Sequence, residues 1–373
     1  MADALISPAV GGLMWAASAG AVAYAAAHIK KAMAEEDRAG NEAELDAGVS
    51  GMGDGLVKKV GLMAIAGAFV FAAQMINFTI PGTGSSGHIG GGILLACLLG
   101  SYPALLTLVS VLAVQALFFA DGGLLALGCN IFNMGVIPCL VVYPLLVKPF
   151  FQRCQPSGKE GQDGTHKRLT AGCALGVMIA LPLGAFFVAL ETLASGITAL
   201  PFSAFALLML PIHLAIAAGE AAVTAAVVAF VAANSPEVIA SALSNAGIVY
   251  SETEKSKAGA FRRIIAVLGV CALITGGLLS LFASSYPDGL EWSIEKIAGS
   301  AELEADGAVF ERAAALQDAS AFMPDYEYRA AGEDGAATGT TAAGIAGSLI
   351  TCAIAGAVGA VLYLLKRKKT RSA

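Results

Sequence analysis

Long apolar runs separated by short polar or basic turns dominate the chain. They lie at roughly 9–28, 60–80, 89–100, 102–120, 124–148, 169–195, 202–232, 264–284 and 341–365. Several reach the roughly 20 residues that a helix needs to cross a hydrocarbon core. The period-two alternation of a membrane barrel is absent, and open strands would leave orphaned backbone groups in lipid. The pattern predicts an all-α, polytopic integral membrane protein of about nine transmembrane segments. Seven form a first bundle and two more frame a long polar loop.

The stretch 89–120 reads as one helix or two. Gly100-Ser101-Tyr102-Pro103 interrupts it, and proline cannot donate to a helical ladder. Charge decides the matter. Basic residues cluster at Lys30, Lys31, Arg38, Lys58 and Lys59, then at Lys148, Arg153, Lys159, Lys167 and Arg168. They recur at Lys255, Lys257, Arg262 and Arg263, and at Lys366, Arg367, Lys368, Lys369 and Arg371. Only a hairpin of two crossings puts every cluster on the cytoplasmic side, as the positive-inside rule asks. The amino terminus, 81–88, 121–123, 196–201 and 285–340 then lie outside and the carboxyl terminus inside; nine crossings result, with the short 89–100 piece either a full or a partial span. A polar linker at 236–262 separates a first block, 1–235, from a second, 263–373.

Composition sharpens this reading. Hydrophobic residues make up 57% of the chain and charged ones 13%, too few to clothe a soluble domain of 373 residues. The net charge of −6 hides an asymmetry: 285–340 holds 12 acidic residues against Lys296, Arg312 and Arg329. A loop so charged is expected either to concentrate cations or gate their access, or simply to be a soluble extracytoplasmic loop. No basic stripe lies outside the short turns, so nucleic acid is not an expected partner. Seven cysteines are scattered, with Cys154 in a polar loop and none in the acidic one, and suggest no disulfide framework. No basic residue precedes the first apolar run, which argues against a cleaved leader. No Gly-x-x-x-x-Gly-Lys-Ser/Thr loop occurs, so ATP hydrolysis by this chain is not expected.

Candidate chemistry gathers in three places. In Gln74-Met75-Ile76-Asn77-Phe78-Thr79-Ile80-Pro81-Gly82, a helix ends in Pro-Gly. A small polar loop containing Ser86 follows, and His88 opens the next, glycine-rich helix. Neutral imidazole suits nickel, cobalt, zinc or copper better than sodium, magnesium or calcium, although a loop histidine also serves plain structure. Asn130 and Asn133 lie three apart on one helical face, either cross-linking helices or orienting an imidazole. His213 and Glu220 lie seven apart on one span, with Glu191 near the outer end of the preceding one. Ionisable groups at that depth mark function or lock helices together. A small-residue face at Ala16, Gly20, Ala23 and Ala27 packs within the bundle or docks a partner.

The motifs Ala2-Asp3-Ala4-Leu5-Ile6-Ser7-Pro8, Gln74-Met75-Ile76-Asn77-Phe78, Ser86-Gly87-His88, Asp121-Gly122-Gly123 and Asn130-Ile131-Phe132-Asn133-Met134-Gly135 resemble the CbiM/NikM family. His213 and Gly219-Glu220 add to the likeness, which covers 1–235. Pro287-Asp288-Gly289-Leu290-Glu291 and Pro324-Asp325-Tyr326 resemble the fused CbiN/NikN-like domain of two helices around an extracytoplasmic loop. The resemblance implies the substrate-capture (S) component of an energy-coupling factor transporter in a prokaryotic cytoplasmic membrane. It also implies cobalt or nickel as transported substrate, no cofactor, and partners in a transmembrane coupling subunit and cytoplasmic ATPase subunits.

That family's ligands are the terminal amine, the amide and side chain of a histidine at position two, and a loop histidine matching His88. His88 and the Met1 amine are the implied metal ligands here; Asn77, Ser86, Asn130, Asn133, His213 and Glu220 are implied to support those ligands or line the ion's path. The chain departs from the pattern at Ala2, and no histidine precedes His28. The expectation is a native start two residues earlier, at Met-His, with a variant that has lost the chelate as the alternative. Two rival readings stand. Gly84-Ser85-Ser86-Gly87 fits the Gly-x-Ser-Gly pattern of rhomboid-like intramembrane proteases, with Ser86 as nucleophile and His213 as base. The other is a purely structural or assembly subunit.

Overall fold

The computed structural model describes residues 1–47, 52–153, 162–244, 255–301, 303–329 and 336–370. Cys154, the Ser251–Glu254 part of the linker and Glu302 lie outside the described residues. The chain opens with a short turn, Asp3–Leu5, then helices α1 (Pro8–Ala47) and α2 (Met52–Gln74). A hairpin of β1 (Phe78–Ile80) and β2 (Ser85–Gly87) follows, with Thr79 opposite Ser86. Then come α3 (Gly92–Leu99), α4 (Ser101–Phe118) and α5 (Leu127–Ile131). The last runs on as a π-wound stretch over Phe132–Val147, interrupted by Pro138 and Pro144, into α6 (Lys148–Arg153). The first block closes with α7 (Gln162–Ser195), α8 (Phe202–Asn234) and α9 (Pro236–Ser244). The second contains α10 (Lys255–Gly277), α11 (Gly289–Ala298), α12 (Ala308–Ser320) and α13 (Ala336–Thr370).

Among the described residues, eight helices are long and apolar enough to cross a membrane. The ninth expected segment is α3. Its eight residues rise about 12 Å, well short of a bilayer core of about 30 Å. All eight are buried, so this half-helix is enclosed by protein rather than lipid. Such a break is tolerated at membrane depth only where neighbours satisfy the freed backbone groups. The α3–α4 hairpin expected from the charge pattern is present, and it turns at Gly100.

Phe71, Leu94, Leu95, Leu105, Phe119 and Tyr143 belong to the main core, which α2, α3 and α4 share with the π-wound stretch. Large apolar side chains such as Leu13, Leu145, Leu207 and Leu349 point outward instead, as a lipid-facing surface requires. Helices α10 and α13 pack on α2, so the second block lies directly against the first.

Three local expectations are corrected. The apolar run 60–80 is helical only to Gln74, because Pro81-Gly82 turns the chain as a β-hairpin. His88 therefore does not open a helix: it follows β2, and α3 begins four residues later at Gly92. Part of the supposed linker 236–262 is also structured, since α9 buries Val238, Ile239 and Ala242 against the core and packs on α3.

Candidate metal-capture site

The break before α3 positions the first candidate side chain. Gly91 caps the half-helix at φ 76°, a left-handed conformation open to glycine, and a Cβ there would lie 2.6 Å from Val70 Cγ1. The Glu220 carboxylate of α8 accepts the Gly90 amide at 2.6 Å and the Gly91 amide at 2.9 Å. A carboxylate at the exposed N–H groups of a helix start is electrostatically favoured. Gln74 Nε2 donates to Gly90 O at 2.9 Å, holding the same segment from the other side. His88 hangs from this clamped strand. Its Nδ1 lies 3.1 Å from Ile89 O, which can only accept. The proton therefore sits on Nδ1 and Nε2 presents its lone pair.

His88 lines a cavity of about 140 Å³ together with Met1, Asn130, Asn133, His213 and Glu220. His213 is fixed in the same way, with Nδ1 2.8 Å from Met209 O, which frees its Nε2 as well. A second imidazole thus shares the cavity wall with His88. Asn133 Nδ2 donates to Glu191 Oε2 at 2.8 Å, while Asn133 Oδ1 and Glu191 Oε1 are buried without a partner.

Met1 reaches the cavity because the segment behind it is pinned. Gly123 N donates to Met1 O at 3.0 Å, Ala126 N donates to Asp3 Oδ1 at 2.8 Å, and Leu5 and Ile6 are buried. Asn77 lies outside this cavity, on the wall of a second one of about 320 Å³ that Met1, His88 and Asn130 also line.

Ser86 lines neither cavity. Its Oγ donates to Tyr286 O at 2.7 Å, and its amide donates to Pro287 O at 2.8 Å. Among the described residues it makes no hydrogen bond to His213, whose Nδ1 faces Met209 O. The dyad that a serine protease needs is not formed. Ser86 instead docks the second block. Ser284 N donates to Asn77 O at 2.7 Å, and Trp292 Nε1 donates to Thr83 O at 3.0 Å. Asp288, Gly289 and Leu290 thereby roof the His88 cavity.

Asp288 also caps α11, accepting the amides of Leu290 and Glu291 at 2.8 Å, while Glu291 Oε2 accepts the Asp288 amide at 3.2 Å. Burial, and then the Asp288 charge, push the Glu291 carboxyl above the usual carboxylate range. The Tyr326 hydroxyl donates to Asp121 Oδ2, and burial followed by that charge pushes the phenol well up. Asp288, Asp121, Tyr326 and Gln74 are cavity residues that reading the sequence for sites missed. The Asp288–Glu291 capping spacing was visible but marks a helix start, not a cavity.

A half-helix among membrane-spanning helices, held by a buried carboxylate and followed back to an imidazole on a cavity wall, is the architecture of a polytopic transport protein. Residues 1–238 match the family described as "Cobalt uptake substrate-specific transmembrane region", and residues 262–364 match the PDGLE domain. The chain belongs to this CbiM/NikM family of cobalt- and nickel-transport membrane proteins, with a PDGLE domain fused behind the first.

A protein of Haloquadratum walsbyi named for metal transport is 30% identical over 246 residues, 66% of this chain and 95% of its own. A fused protein of Archaeoglobus fulgidus named for nickel transport is 36% identical over 186 residues, 49% of this chain and 56% of its own. A solved transition metal transporter is 27% identical, with a TM-score of 0.46, over 62% of this chain and 91% of that one. Both relatives are named for metal transport, which points to a transporter rather than an enzyme.

Proposed function

We propose that the chain is the substrate-capturing membrane component of an ATP-driven energy-coupling factor importer for Co²⁺ or Ni²⁺. A separate transmembrane coupling subunit and cytoplasmic ATPases supply the power stroke. The observation that carries this reading is the sharing of one cavity by His88 and Met1. The His88 Nε2 lone pair is a nitrogen donor of the kind that nickel and cobalt favour, and Met1 brings the start of the described chain to the same wall. In this reading Asn130, Asn133 and His213 orient the ion or pass it on, Glu220 holds His88 in place, and Asn77 and Ser86 hold the roof. The cavity end faces outside the cytoplasmic membrane. The opposite end, where Lys31 and Lys59 lie beside Gly100 and Leu362, faces the cytoplasm.

The test is a binding and uptake assay with both ions in competition, on the wild-type protein and His88→Ala. The variant should insert normally and lose metal binding, and affinity in the wild type should fall as the medium is acidified, because proton and metal compete for one lone pair. Unchanged affinity in His88→Ala sinks the ligand assignment. The ion that wins the competition names the substrate.

A further inference from the structure

Helix α8 and the segment 87–91 run side by side. Gly87 passes Ile216 so closely that a Cβ on it would lie 2.3 Å from Ile216 Cγ1. One turn further along α8, Glu220 accepts the Gly90 and Gly91 amides at 2.6 and 2.9 Å. These contacts fix the register. They leave His213, which precedes Ile216 on α8, about one turn from the point that Gly87 touches, next to His88. The roof closes on the same spot: a Cβ on Gly289 would lie 3.0 Å from Ile216 Cδ1 and 3.1 Å from His213 Cε1. Strand, span and roof thus meet where the two imidazoles line one cavity.

Both rings are prepared alike. A backbone carbonyl takes the Nδ1 proton of each, Ile89 O for His88 and Met209 O for His213, so the lone pair of each lies on Nε2. A metal-bound imidazole is usually held in this way, with its other nitrogen anchored on a carbonyl or carboxylate. Among the described residues neither Nε2 makes a hydrogen bond, and neither belongs to the polar atoms sealed from water without a partner. Each lone pair is therefore open to the cavity that its ring lines, rather than shut into the packing. His28 is anchored on Tyr24 O in the same manner, but it lines the cavity at the opposite end of the bundle.

We propose that His213 is a second direct ligand of the captured ion, binding through Nε2 together with His88. The inference rests on the capture function proposed above, and it changes the part of His213 from guiding the ion to binding it. Two imidazoles favour nickel and cobalt over ions that prefer oxygen, so His213 sets selectivity as well as affinity. Among the described residues no three His, Cys, Asp or Glu side chains group to hold a metal, so the pair is not part of a closed cage. The remaining positions fall to water or main-chain atoms. Open positions suit a cargo that must leave again.

The test loads the full-length protein in detergent with Ni²⁺ and counts bound imidazoles by X-ray absorption, in which the ring carbons give a scattering signal of their own. Wild type should show two rings and H213Q one. H213Q should also bind Ni²⁺ more weakly by at least the about 10- to 100-fold that losing a mere supporting residue costs. Its preference for Ni²⁺ over Mn²⁺ should fall as well, because an amide oxygen takes the place of an imidazole; a purely structural histidine would weaken both ions alike. Should H213Q fold poorly, H28Q/H166Q carries the test. It leaves His88 and His213 as the only histidines of the chain and should still show two rings. One ring in wild type or in H28Q/H166Q, or equal loss of both ions in H213Q, overturns the assignment. Two rings in a wild type whose assembled transporter imports neither Co²⁺ nor Ni²⁺ instead overturns the capture reading and leaves the pair standing.

Discussion

Glu220 of α8 and Gly91 at the head of α3 are 129 residues apart and joined by a 2.9 Å hydrogen bond from the glycine amide to Glu220 Oε1. With the matching bond to Gly90, this carboxylate clamps the segment between His88 and the half-helix, which Gln74 holds from the other side. Glu220→Gln replaces one acceptor by an NH₂ group that faces an amide donor. Metal affinity should fall by about 10- to 100-fold, as for lost support behind a metal ligand, while the protein stays in the membrane. Affinity measured by calorimetry that matches wild type would show that His88 is positioned without Glu220.

Ser86→Ala separates docking from catalysis. The change leaves Tyr286 O without its donor, at a cost of about 1–3 kcal/mol to the contact between the blocks. Limited proteolysis should then cut 285–301 faster than in wild type, with metal uptake reduced rather than lost. An unaltered cleavage pattern would mean that the main-chain bond from Ser86 N to Pro287 O suffices.

Gly289 is where the roof comes closest to the span below. A Cβ there would sit 3.0 Å from Ile216 Cδ1 and 3.1 Å from His213 Cε1. Gly289→Ala should cost about 1–3 kcal/mol by overpacking and disturb the His213 ring. Lower thermal stability together with weaker metal binding is expected; a fully active variant would show that the roof shifts freely.

Much of this was legible in advance. The nine apolar runs, the hairpin turning at Gly100 and the family likeness followed from residues alone, because lipid imposes length and apolarity on whatever crosses it. The placing of His88 at a helix start did not hold. Glycine-rich sequence after Pro81 is compatible with helix, loop or hairpin, and partners far along the chain, Glu220 among them, hold it in the form seen. Asp288 and Glu291 carried a helix-start signature, but nothing local says that the helix they cap roofs a cavity. His213 looked like one ionisable residue within a span; its neighbourhood with His88 is tertiary.

Glu291 yields a pH prediction. Burial and the Asp288 charge raise its carboxyl, so the folded protein holds that proton more tightly than the unfolded chain does. Ionisation at neutral pH therefore works against the fold, and stability should be regained as pH falls through the raised value. Glu291→Gln is uncharged yet still accepts the Asp288 amide. In metal-free buffer it should melt higher than wild type at neutral pH, with the difference closing on acidification. A variant that melts lower at every pH would show that the charge serves the α11 start more than it offends Asp288.

The hydrogen bonds that seat Ser284, Tyr286 and Pro287 on Asn77 and Ser86 are few. Between free partners, contacts of this size would come and go with dilution. Here α10 packs on α2 within the same polypeptide and keeps the segment beside its seat, at an effective concentration of about millimolar or more. The roof is thus re-formed by a unimolecular event after every opening, at a rate that does not depend on how many copies the membrane holds.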